Sequence, residues 1–136
     1  KGRWRTRVAD PAKKRVLVVD DAALVRMYYR DALERAGYEV EEAINGLEAL
    51  EKLLGTAVDL LIVDVNMPQM DGFTFLKVLR RQSLPVSGVP ALVITTEAGA
   101  QDRAAAQTAG ANYYLVKPVK PEALILHADL MTGRPA

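Results

Sequence analysis

The chain has 136 residues, half of them apolar and about a quarter charged, which suits one globular domain with a single sizeable core. It contains no cysteine, which excludes disulfides and thiolate metal sites; no apolar run approaches the ~20 residues of a membrane span, and no stretch has the pattern of a secretory signal. The net charge of +1 joins unlike parts: residues 1–15 carry seven Lys/Arg and one Asp (+6), and residues 16–136 carry eleven Lys/Arg against sixteen Asp/Glu (−5).

Lys1-Gly-Arg-Trp-Arg-Thr-Arg7 shows no periodicity, so residues 1–13 are expected to form a disordered basic tail. Such a run can touch nucleic acid or an acidic partner, although a solvated leader is the plainer reading. Arg15–Asp20 is a β-branched, strand-like run. In Ala22–Ala36 the residues Val25, Tyr28, Tyr29, Ala32, Leu33 and Ala36 follow helical spacing, and Gly37 stands where a helix would end. Tyr38–Ala43 predicts a second strand and Asn45-Gly46 a turn. A helix over Leu47–Leu54 precedes a third strand over Asp59–Val63. The helix predicted over Gly72–Gln82 would bury Phe75, Leu76 and Leu79. A loop over 82–90 leads to strand four (Ala91–Thr95), an Ala-rich helix (Ala100–Ala109), strand five (Asn112–Val116) and a last helix (Pro121–Met131). The domain is expected to fill residues 14–131, with a short tail over 132–136.

Uniformly apolar strands separated by helices argue for a parallel sheet covered on both faces. Right-handed crossovers make it a doubly wound α/β sandwich, whose ligands bind beyond the carboxyl ends of the strands. Asp20, Asp21, Asp64, Thr95 and Lys117 all fall at such ends. Neighbouring carboxylates repel by ~4 kcal/mol at about 4 Å and an effective dielectric near 20. A divalent cation together with Lys117 would resolve that cost, and this pairing belongs to phosphoryl-transfer chemistry.

Five fragments carry a resemblance in order: Val-Val-Asp-Asp (18–21), Glu-Ala-Ile-Asn-Gly (42–46), Asp-Val-Asn-Met-Pro-Gln-Met-Asp-Gly (64–72), Ile-Thr-Thr-Glu-Ala (94–98) and Ala-Gly-Ala-Asn-Tyr-Tyr-Leu-Val-Lys-Pro (109–118). Across residues 14–131 the chain resembles response-regulator receiver domains, most closely the CheY-like single-domain chemotaxis type. The resemblance implies a flavodoxin-like five-stranded parallel sheet of order 2-1-3-4-5 with five helices. It further implies a cytoplasmic two-component phosphorelay protein in which Asp64 accepts a phosphoryl group from a sensor histidine kinase or phosphotransfer protein. Such a domain is no enzyme beyond its own phosphotransfer and autodephosphorylation.

The same resemblance assigns roles. Mg²⁺ (or Mn²⁺) would be ligated by Asp21, Asp64 and the backbone oxygen of Asn66, with Asp20 acting through water; oxygen donors suit such a hard cation. Asp20 or Asp21 also has a simpler role open to it, as cap of the following helix. Lys117 would bring a point charge to a phosphoryl oxygen, before a cis bond to Pro118. Thr95 and Tyr114 would form the switch, while Tyr113 points to the opposite face of its strand. Asn66 and Glu97 flank the expected phosphate and would set its lifetime; Thr96 and Gly99 depart from the chemotaxis pattern. His127 is given no role.

Output would then pass to a protein partner through the fourth helix, fifth strand and fifth helix. No nucleic-acid or membrane contact is expected of the domain, which would be a monomer or weak dimer. Three alternatives stand beside this reading. A receiver clipped from a multidomain transcriptional regulator has the same sequence features. A haloacid-dehalogenase-type phosphatase would want Asp-x-Asp, but Asn66 stands two after Asp64. A flavodoxin-like FMN binder would want a phosphate loop where Asp20 and Asp21 would repel one.

Overall fold

A computed structural model of the protein describes residues 13–67 and 70–134. The expected disorder of the basic tail, and Pro68 of the third fragment, lie outside the described residues.

Five strands, β1 (Arg15–Val19), β2 (Glu39–Ala43), β3 (Leu60–Asp64), β4 (Ala91–Thr95) and β5 (Tyr113–Val116), form one parallel sheet of order β2-β1-β3-β4-β5. Five helices cover it: α1 (Ala23–Arg35), α2 (Gly46–Gly55), α3 (Gly72–Arg80), α4 (Ala100–Ala109) and α5 (Pro121–Thr132). Alternate strand residues face opposite layers. Leu17, Val19, Leu61, Val63, Ala91 and Val93 pack with Ala49, Leu53, Phe75, Leu76, Leu79 and Ala109 of α2, α3 and α4. Val16, Val18, Leu60, Ile62, Leu92 and Ile94 pack with Tyr29, Leu33, Leu124 and Ala128 of α1 and α5. The two cores explain why β3 and β4 are buried throughout and apolar up to their last residues, Asp64 and Thr95: neither face meets water.

Local chemistry fixes the ends of these elements, and several differ from the sequence reading. At the Asn45-Gly46 turn signal, Asn45 is the N-cap of α2. Its side chain accepts from the Glu48 amide at 2.9 Å, and Glu48 Oε1 accepts in return from the Ile44 amide at 3.1 Å, a reciprocal capping arrangement. α1 begins after Ala22 without a side-chain cap. The Asp20 carboxylate instead accepts the Ala22 amide at 2.9 Å, a residue too early to cap the helix. β3 runs one residue further than expected, so Asp64 is itself in the ladder, opposite Ile94. The segment over 82–90 contains a 3₁₀ turn at Val86–Gly88 and a cis Leu84–Pro85 bond. α5 continues to Thr132 and closes at Gly133 in the left-handed region, φ 75°.

The glycine of Asp71-Gly72 has a geometric reason. Asp71 caps α3 by accepting the Thr74 amide at 2.8 Å, and the Gly72 amide donates to the Val65 carbonyl at 2.9 Å. A Cβ at 72 would collide with the Asp64 carbonyl oxygen. Only glycine lets α3 start this close to the end of β3.

Candidate functional site

The register of the sheet assembles the site. Val19 lies beside Val63, so the next residues, Asp20 just past β1 and Asp64 at the end of β3, come side by side. Asp64 lies beside Ile94, which puts Thr95 at the end of β4; Thr95 lies beside Val116, which puts Lys117 just past β5. The Lys117 amide donates to the Thr95 carbonyl at 2.7 Å, and the Asp20 amide to the Ala43 carbonyl at 3.1 Å. Residues far apart in the chain therefore share one edge because parallel strands present all their carboxyl ends together.

Oxygen atoms of Asp20, Asp21 and Asp64 lie within 4.8 Å of one another. Lys117 Nζ stands 3.7 Å from Asp64 Oδ1 and 3.9 Å from Asp20 Oδ2. Asp20 is 2% exposed and Asp64 9%, whereas Asp21 and Asn66 are open to solvent. Three convergent carboxylates without nitrogen or sulfur donors fit a hard divalent cation such as Mg²⁺ or Mn²⁺. The Lys117–Pro118 peptide bond is cis.

Burial holds the Asp64 carboxyl above the ordinary carboxylate range, and the charge on Asp20 adds to it; Lys117 and the Asn66 amide act in the opposite direction. Asp20 is raised likewise, by burial first, against the Ala22 amide and Lys117. The acids are thus only partly paid for by the protein's own cation. Burial, and then Asp20 and Asp64, also raise the phenol of Tyr29, a buried residue of α1 that packs beneath the site.

Thr95 is buried, and its Oγ1 accepts the Glu97 amide at 3.3 Å. The Tyr114 hydroxyl donates to the Glu97 carbonyl at 2.6 Å, so Tyr114 and Thr95 meet through the peptide groups of one loop residue. Tyr113 faces the other way, edge-on to His127 of α5 with ring centroids 5.4 Å apart. His127 Nδ1 is 2.8 Å from the Ala123 carbonyl, within its own helix, away from the acidic edge.

Two contributors escaped the sequence reading. Arg26 Nη1 donates to the Asp20 carbonyl at 2.6 Å while its Nε pairs with Glu42 at 2.8 Å, tying α1 and β2 to the end of β1. The Tyr28 hydroxyl donates to the Val119 carbonyl at 2.9 Å, fastening α1 to the segment after Lys117. Tyr28, one of the residues at helical spacing, is 44% exposed. It and Tyr29 join Leu24, Val25, Thr96, Lys117, Pro118 and Val119 around an apolar recess of about 490 Å³ beside the acids. Arg26 lay one and a half helical turns beyond the acids, where periodicity marks only apolar faces.

The family model of the response regulator receiver domain matches residues 16–129. The chain belongs to the receiver-domain family. The receiver is 40% identical over 121 residues to the chemotaxis protein CheY1 of Helicobacter pylori, covering 88% of this chain and 97% of that protein. It is 46% identical over 106 residues to a protein-glutamate methylesterase/protein-glutamine glutaminase of Archaeoglobus fulgidus, covering 76% of this chain but 30% of that larger protein. Among solved structures it resembles the chemotaxis response regulator CheY4 of Vibrio cholerae with a TM-score of 0.83 and 40% identity, over 88% of this chain and 99% of that one. The doubly wound order expected from the sequence is the order found. This receiver is therefore a CheY-like domain of two-component signalling, and its acidic cluster is one that could hold the Mg²⁺ receiver domains generally bind.

Proposed function

We propose that residues 14–131 act as a phosphoacceptor switch in which Asp64 takes a phosphoryl group from a phosphohistidine of a sensor kinase or phosphotransfer protein. The observation that carries this reading is Lys117 Nζ at 3.7 Å from Asp64 Oδ1, beside three carboxylates within 4.8 Å. An Asp64 oxygen attacks phosphorus; the phosphorus–nitrogen bond of the donor breaks, and the imidazole leaves with the electron pair. Little covalent power is asked of the carboxylate, because this chemistry needs positioning and charge neutralisation. When bound, Mg²⁺ supplies positive charge to phosphoryl oxygens; Asp21, Asp64 and the Asn66 carbonyl would hold it, with Asp20 acting through water. Lys117 reaches a phosphoryl oxygen from the side of β5. The new group brings a charge of about −1.5 to −2 at pH 7, to which the Thr95 hydroxyl can donate once the Glu97 amide releases it.

Glu97 carries both contacts, so a shift of its loop changes the support of Tyr114 and hence the face formed by α4, β5 and α5. A protein partner reads that face to the extent that it prefers one arrangement. Asn66 and Glu97 at the rim would set how long the phosphate survives. The reading is tested by incubation with acetyl phosphate and Mg²⁺ followed by intact mass. A labile adduct is expected on the parent and none on Asp64→Asn; an adduct on both would remove Asp64 from the mechanism.

A second setting for the same chemistry, a receiver within a longer regulatory protein, is favoured by the 46% identity to part of the larger methylesterase. The coding sequence on either side of this segment decides between them.

A further inference from the structure

The guanidinium carbon of Arg103, in the first turn of α4, lies 5.0 Å from the centroid of the Tyr114 ring. This is within the range at which a cation is attracted to an aromatic face. The same ring reaches the Glu97 carbonyl through its hydroxyl. Burial first, and then the charges of Asp102 and Glu97, raise the Tyr114 phenol, and the Arg103 charge acts against them. The Arg103 amide donates to the Gly99 carbonyl at 3.1 Å, so the guanidinium is carried by the turn that opens α4.

We infer that Arg103 is a positioning residue for Tyr114: its cation holds the ring in the orientation from which the hydroxyl meets Glu97. The opening turn of α4 and the loop leaving Thr95 are thereby registered through one side chain. The inference rests on the proposed function in that it names what biases the Thr95–Tyr114 pair. Without the cation, the ring keeps one hydrogen bond at an exposed rim, where water competes for both partners. With it, a change in the opening turn of α4 is felt at the Glu97 carbonyl, and the reverse.

The test uses the whole chain with ¹³C-labelled tyrosine rings, no phosphodonor present, and Tyr114→Phe to assign the signals. Arg103 is exposed, so its replacement leaves the core intact. In Arg103→Met, the ratio of loop-facing to solvent-facing ring orientations is expected to fall about two- to fivefold, the population change an exposed cation–π contact supports. Cross-relaxation between the Tyr114 ring and Glu97 backbone protons reads that ratio. Arg103→Lys, which keeps the charge, should restore part of it. Undiminished cross-relaxation in the Met variant overturns the inference, and so does an equal loss in the Met and Lys variants. None of these readings passes through Asp64, so failure of the phosphoacceptor reading shows separately, as a missing adduct on the parent.

Discussion

Burial leaves Asp20 and Asp64 little water over which to spread their charge, and Lys117 at 3.7–3.9 Å compensates only in part. Both carboxyls are held above the ordinary value of 3.8. Between that value and the raised one, the folded chain binds more protons than the unfolded chain, so stability falls as pH rises through the window and stays reduced above it. Asp64→Asn removes one charge of the cluster. Without divalent cation at pH 7 the variant is expected to melt roughly 3–5 °C above the parent, a gain of about 1 kcal/mol. Thermal melts across pH should show this gain shrinking as the parent's own carboxyls protonate; a gain independent of pH would contradict the electrostatic account. Asp64 and Lys117 were readable in the sequence because each ends an apolar strand. The arginine and tyrosine contacts to the same edge were not, since Arg26, Tyr28 and Tyr29 act through geometry that no local pattern encodes.

At the scale of elements, two junctions decide how the site is held. Gly72 lets the start of α3 lie against the end of β3. In Gly72→Ala the new methyl meets the Asp64 carbonyl oxygen, and the helix must retreat. A loss of about 1–3 kcal/mol is expected from such overpacking, together with weaker divalent-cation binding, because the peptide linking Asp64 to Asn66 moves with it. Urea unfolding and a cation titration of the same variant check both. At the opposite edge of the sheet, Arg80 of α3 donates to the carbonyls of Ser87, Val89 and Gly110 and to Asn112 Oδ1. Gly110 accommodates it by a left-handed backbone, φ 116°, where a Cβ would sit 2.7 Å from Arg80 Cγ. Arg80→Ala should cost roughly 2–3 kcal/mol by orphaning these acceptors while leaving the acetyl phosphate adduct unchanged, since the residue is remote from Asp64. Helix and strand identity were legible from period and punctuation. Asn-Gly marks the bend after β2, and Glu48, three residues on from Asn45, is the further signal that makes Asn45 a helix cap.

For the whole molecule, a divalent cation held by the acidic cluster would make folding and cation binding one equilibrium. A cation that binds the folded chain stabilises it by RT ln(1 + [L]/Kd), about 2.7 kcal/mol at a hundredfold excess over Kd. Mg²⁺ is therefore expected to raise the melting temperature of the parent by several degrees, reversibly with chelator, and that of Asp64→Asn by much less. Equal shifts in both would place the ion elsewhere.

The sequence by itself determined the layers: apolar runs too short for helices and amphipathic runs too long for strands leave a two-sided parallel sheet as the way to bury both kinds. It also marked the acids and the lysine, because charge at the end of a buried strand stands out against its neighbours. Which residues touch was decided only by the tertiary structure. The 3.7 Å approach of Lys117 to Asp64, the Glu97 peptide shared by Thr95 and Tyr114, and the cation over the Tyr114 ring all depend on strand register and on where each helix starts. Those are set by packing across the sheet, between residues that are distant along the chain.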